Sequence, residues 1–161
     1  IWILDDLTPL QQLTAEVRRS PVHLFELATA TLWENRARGG QRGHFWSAGE
    51  NPPEFQSRGS LPRVAAQVSA LVSYWIGAPP VAPVTLEIRS LDGRLRHRAT
   101  LPSRTGLQRY TWDLRFDPPT GTGRGAAATP GTYRVTLSSG SRLSVGTLTV
   151  RADPLLGEAP W

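Results

Sequence analysis

Val84-Thr85-Leu86-Glu87-Ile88-Arg89-Ser90-Leu91-Asp92-Gly93-Arg94-Leu95-Arg96-His97-Arg98-Ala99-Thr100-Leu101 is the stretch that decides the fold. Val84, Leu86 and Ile88 alternate with Thr85, Glu87 and Arg89, the two-residue period of a strand with one face in a core and the other in water. Asp92-Gly93 predicts a hairpin, because Gly93 accepts a positive φ without steric cost. The return strand then runs from Arg94 to Leu101.

The same period continues on both sides. Upstream, Val72, Tyr74 and Ile76 alternate with Leu71, Ser73 and Trp75, which predicts a strand buried on nearly both faces. Downstream, Tyr110, Trp112 and Leu114 share one parity, while Thr111, Asp113 and Arg115 share the other. A Gly- and Ala-rich loop from Asp117 to Thr129 leads to Pro130-Gly131, a pair suited to a type II turn. Tyr133, Val135 and Leu137 then form the next inward face, and Ser139-Gly140 turns the chain again. In the last strand Leu143 and Val145 hold one parity and Leu148 and Val150 the other, so a β-bulge is expected at Gly146. Five or six short strands in about eighty residues predict an antiparallel β-sandwich. Trp75, Gly93, Trp112, Asp113, Gly131 and Tyr133 are its structural residues. The parity of Trp112 and Tyr133 points both rings inward, away from any sugar platform. Tyr133 is also placed for a tyrosine-corner hydrogen bond, and Asp113 and Arg115 are placed for a local bridge.

The first half is less regular. Ile1-Trp2-Ile3-Leu4 is an apolar run closed by Asp5-Asp6, read as a short buried strand. Thr8 or Thr14 caps a helix in which Pro9 suits the first turn and Leu10, Leu13 and Val17 recur at helical spacing. Ser20-Pro21 ends that helix, and Val22 to Phe25 is extended. Ala37 to Pro62 reads as a long surface loop, and Pro62 to Ser69 as a helical turn or an irregular insert.

Composition narrows the function. There is no Cys, which excludes disulfides, thiolate metal sites and cysteine nucleophiles. All 18 basic residues are Arg, a pattern closer to coding bias than to chemistry. The net charge of +5 is spread along the chain, whereas nucleic-acid proteins concentrate theirs on one element. No run approaches the roughly 18 apolar residues of a membrane span. No secretory signal is visible at Ile1, so the chain reads as a piece of something longer.

The residues offer few chemical constellations. Asp5 and Asp6, adjacent on a strand, point to opposite faces and suit strand termination better than acid–base work. His23, His44 and His97 lack ligand spacing. Glu50 and Glu54 flank Asn51-Pro52-Pro53, either as sugar-hydroxyl acceptors with Trp46 or Phe55 stacking on a ring, or as a rigid corner. Arg94, Arg96 and Arg98 alternate along the return strand, with Arg89 able to join them across the hairpin. That stripe either attracts an anionic glycan or acidic partner surface or protects an edge strand. Glu87 partly neutralises it. No P-loop, nucleophile elbow or zinc signature appears, and no catalytic, cofactor or metal residue is assigned.

Trp2-Ile3-Leu4-Asp5-Asp6-Leu7-Thr8-Pro9-Leu10 resembles the segment that closes the β-propeller in sortilin-like, BNR-repeat "glycosyl hydrolase" proteins. Val22-His23-Leu24-Phe25 and Gly49-Glu50-Asn51-Pro52-Pro53 are similar to segments that follow in that family. Tyr74-Trp75, Leu86-Glu87-Ile88, Asp92-Gly93, Gly106, Trp112-Asp113-Leu114-Arg115 and Pro130-Gly131-Thr132-Tyr133 resemble its C-terminal domain, which is similar to the immunoglobulin-like fold of flagellar hook-capping proteins. The resemblance covers most of the chain and departs between Glu54 and Ala70. It implies an Ig-like or fibronectin-type sandwich over 71–153. Ahead of it would lie the end of an upstream propeller with its connecting helix over 1–35 and a linker over 36–70, with a tail over 154–161 behind. The expected role is a non-catalytic accessory module of a secreted, periplasmic or surface protein. Such a module braces its own propeller and contacts glycan or a partner protein. Two alternatives stay open: part of a glycoside hydrolase whose catalytic residues lie upstream, and a protein–protein module for surface assembly.

Overall fold

The computed structural model describes residues 7–32 and 69–154. The expected strand at Ile1–Leu4, the long loop with His44, Trp46, Glu50 and Glu54, and the tail beyond 154 lie outside them. The described chain is mainly β, built of two sheets with short helices. Strands β1 (Val22–Leu24), β3 (Ala70–Ile76) and β6 (Gly106–Trp112) form one sheet in the order β1-β3-β6. Strands β2 (Ala30–Leu32), β4 (Val84–Ser90), β5 (Arg96–Leu101), β7 (Gly131–Ser139) and β8 (Arg142–Ala152) form the other in the order β2-β8-β7-β4-β5. The connections from β3 to β4, β5 to β6 and β6 to β7 change sheets, the Greek-key habit of Ig-like sandwiches.

Parity fills the core. Val72, Tyr74 and Ile76 from one sheet meet Val84, Leu86, Ile88, Val135, Leu137, Leu148 and Val150 from the other, all with essentially no solvent exposure. Two-residue alternation aims each of these side chains between the sheets. The β4–β5 hairpin closes through a four-residue loop, Leu91–Arg94, in which Gly93 donates to the Ser90 carbonyl at 2.9 Å and holds φ at 73°.

The sheets begin earlier than expected. Residues 22–32, assigned above to the propeller side, supply one strand to each sheet. Val22, Leu24, Phe25 and Ala30 are buried, and the chain crosses between sheets over Phe25–Thr29. Three-residue strands carry too little periodicity to reveal such a crossing. β2 also runs parallel to β8, from Ala30 opposite Val150 to Leu32 opposite Ala152, so the sandwich is not wholly antiparallel.

Three local expectations are corrected. The helical segment is two pieces, α1 (Thr8–Gln11) and α2 (Ala15–Arg19). Thr14 sits between them in extended backbone, with its hydroxyl accepting from the Val17 amide at 3.2 Å. Gln12 is drawn aside instead, its side-chain carbonyl accepting from the Glu26 amide at 3.0 Å.

No bulge occurs at Gly146, because β7 and β8 pair one to one from Gly131–Val150 to Ser139–Arg142. Gly146 serves close packing, since a Cβ there would stand 3.1 Å from Leu24 Cδ2. Leu143 and Val145 consequently stay on the outer face, 66% and 60% exposed. Gly131 is already paired in β7 at φ 156°, well away from the φ of about +80° that a type II turn requires.

Candidate functional site

The outer face of the five-stranded sheet gathers the arginines. Arg96 lies opposite Arg89, and Arg89 lies opposite Arg134, so β5, β4 and β7 set three guanidinium groups in one cross-strand row. All three residues are exposed. Arg98 stands in the next row, opposite Glu87. Glu87 grips Arg89, with Arg89 Nε donating to Oε1 at 2.6 Å and its terminal nitrogen to Oε2 at 3.3 Å. Among the described residues no hydrogen bond or ion pair engages the guanidinium groups of Arg96, Arg98 or Arg134.

Arg94 does not join this row. It lies in the hairpin loop, 3.7 Å from the Asp92 carboxylate and almost fully exposed. Asp92 is held below its ordinary pKa by the Ser90 hydroxyl first, and by the Arg94 amide second.

Threonine and serine line much of the rest of the face, beside exposed Leu143 and Val145. Thr147 lies opposite Arg134 and Thr136 opposite Glu87, while the Thr85 and Ser138 hydroxyls meet at 2.7 Å. Within the described strands of this sheet, no outward position is aromatic.

On the inner side of β5, His97 joins two residues far away in sequence. Its Nδ1 lies 3.0 Å from Asp117 Oδ1 and its Nε2 lies 2.7 Å from the Tyr110 hydroxyl. A carboxylate only accepts, so Nδ1 carries the proton toward Asp117. Nε2 pairs with the Tyr110 hydroxyl on the other side of the ring. Burial raises the Tyr110 pKa, with the charges of Asp113 and Asp117 adding to it, so this hydroxyl keeps its proton. An Asp–His pair beside a hydroxyl invites a nucleophile reading, but a phenol held in its protonated form is a poor nucleophile. The group instead ties β5 to β6, edge strands of opposite sheets. Asp117 completes the tie by accepting from the Arg98 amide at 2.9 Å and donating to the Arg96 carbonyl at 2.8 Å. That covers part of the exposed edge of β5.

Trp112 and Tyr133 lie in the core. The Trp112 ring centroid is 5.3 Å from Phe116, 6.1 Å from Tyr133 and 6.0 Å from His97. Its Nε1 donates to the Arg115 carbonyl at 2.6 Å. Between them the chain bends sharply at Leu114, whose φ is 55°. Asp113 supports this bend by accepting from the Arg115 amide at 3.1 Å, and the Arg115 guanidinium turns away to the Gly125 carbonyl. Tyr133 donates to the Thr129 carbonyl at 2.6 Å and accepts from the Thr129 amide at 3.0 Å, the corner geometry of Ig-like domains. Trp75 is half-buried, and its Nε1 is buried without a hydrogen-bond partner among the described residues.

Sequence reasoning missed Arg134, because only strand register brings it beside Arg89. It also missed the His97 group, whose members lie 13 and 20 residues apart. The one available signal was the inward parity of His97 between Leu95 and Ala99. Glu50 and Trp46 lie outside the described residues. Compared with protein-family models, curated proteins and solved structures, the chain finds no match.

Proposed function

We propose that this chain is a non-catalytic accessory module that braces a neighbouring β-propeller of the same secreted or surface polypeptide. One observation carries the reading: the incoming chain is built into both sheets instead of being hinged to them. Leu24 is locked by its amide on Ser144 Oγ at 2.9 Å, and Phe25 by its amide on the Ser73 carbonyl at 3.2 Å. A domain entered this way transmits position to whatever precedes it. The entry also carries apolar surface. Leu7 and Leu10 are about half exposed at the first helix, and Gln12, at the end of that helix, is tied to Glu26. Glu26 in turn lines an open groove together with exposed Val145. Apolar surface rimmed by polar residues suits contact with another folded unit.

The test compares this chain with the longer polypeptide. Leu7→Ser with Leu10→Ser is expected to shift the melting of this chain by no more than about 2 °C, as for exposed substitutions. In the longer polypeptide the same pair should uncouple the module, with a loss of about 1–3 kcal/mol for a disrupted apolar contact. Equal, small shifts in both proteins would refute the bracing role. Blades of four strands are expected in the reading frame ahead of Ile1, and an α/β enzyme there would refute the propeller.

A further inference from the structure

We propose that the outer face of the five-stranded sheet binds an anionic polysaccharide, one bearing repeated carboxylate or sulfate groups, across the row Arg96–Arg89–Arg134. This inference stands on the face itself and does not need the propeller reading.

Strand register sets the geometry of the row. Neighbouring strands lie about 4.8 Å apart, so the row sets three guanidinium-bearing residues in line over roughly 10 Å. Like charges directly opposite each other repel, and here two such pairs are consecutive, Arg96–Arg89 and Arg89–Arg134. The one carboxylate among them, Glu87, is engaged by Arg89 and faces Arg98 in the adjoining row. Four arginines therefore share one acid, and the face keeps a positive field that an anion lying along the row would neutralise. Guanidinium forks match carboxylate and sulfate oxygens in paired hydrogen bonds. Glu87 fixes Arg89, the middle residue of the row, in place for this.

The chemistry of the surroundings selects among polyanions. Thr147 extends the row beyond Arg134, Thr136 stands in the adjoining row and Thr85 and Ser138 one row farther, and their hydroxyls suit the hydroxyls and ring oxygens of a sugar chain. The described outward positions offer no aromatic ring for the base stacking on which single-strand nucleic-acid binding relies. Nor do they offer the central aromatic anchor of a protein interface. An extended, charged sugar chain needs neither.

The whole chain is titrated calorimetrically with heparin and with polygalacturonate at low salt. Binding is expected for at least one of them, and it should weaken as salt screens the charges. Arg96→Ala with Arg134→Ala should raise the dissociation constant at least tenfold. Arg104→Ala with Arg124→Ala removes the same charge from exposed positions off the face and should change it less than about twofold. Arg134→Gln alone should already weaken binding, which keeps the test decisive if the double variant folds poorly. No binding to either polymer would overturn the proposal, as would equal losses from the two double variants. Oligothymidylate or phosphatidylserine vesicles binding through the same arginines as tightly as the polysaccharide would overturn the choice of ligand.

Discussion

Trp112→Ala is expected to destabilise the chain by about 3–5 kcal/mol, the range for removing a large buried aromatic side chain. The indole has no solvent exposure and packs edge-on to Phe116 and Tyr133 while lying near-parallel to His97. Its loss leaves a cavity between the sheets and strips the Arg115 carbonyl of the Nε1 donor. It also unfastens the bend at Leu114, where a non-glycine residue with φ 55° is held against its own preference. Total stability for a domain is about 5–15 kcal/mol, so the loss removes a large share of it and brings a domain at the low end of that range to the point of unfolding at room temperature. Urea denaturation followed by far-UV circular dichroism measures this. A loss below about 1 kcal/mol would mean that the indole is not the centre of the core.

Tyr133→Phe should cost about 1–3 kcal/mol, as two hydrogen bonds of ordinary strength are removed while the ring stays. The hydroxyl both donates to and accepts from the backbone of Thr129, so one atom fixes the turn into β7. The ring keeps its contacts with Trp112 and Phe116, which separates this loss from a packing defect. Comparing the midpoint with that of Thr129→Ala, which leaves the backbone bonds in place, isolates the corner. Equal stability of Tyr133→Phe and the unaltered chain would show that the corner contributes nothing.

The strands long enough to show a period were legible. β3, β4 and β7 each run seven residues or more, burial alternates along them except at buried Ser73, and their inward apolar sets follow from parity. β1 and β2, at three residues each, show no period, and their partners lie about fifty and 120 residues ahead. Gly146 illustrates a second limit. An isolated glycine in a strand marks either a bulge or a close approach, and only the position of Leu24 separates the two. For the candidate face, the spacing of Arg96 and Arg98 was readable along β5, but the row that matters runs perpendicular to the chain. Arg134 enters it through pairing register, a quantity that no local pattern encodes. The hairpin loop removed Arg94 for a related reason, since the closing pair fell at Ser90–Leu95.

Bracing requires residues 22–32 to be integral to the sandwich. Native-state hydrogen exchange of the whole chain measures this at the Leu24 and Phe25 amides. Both should open within about 1 kcal/mol of the amides of Gly131–Ser139, as members of one cooperative unit. Free exchange at Leu24 and Phe25 while β7 stays protected would show a loosely attached leader and contradict the account.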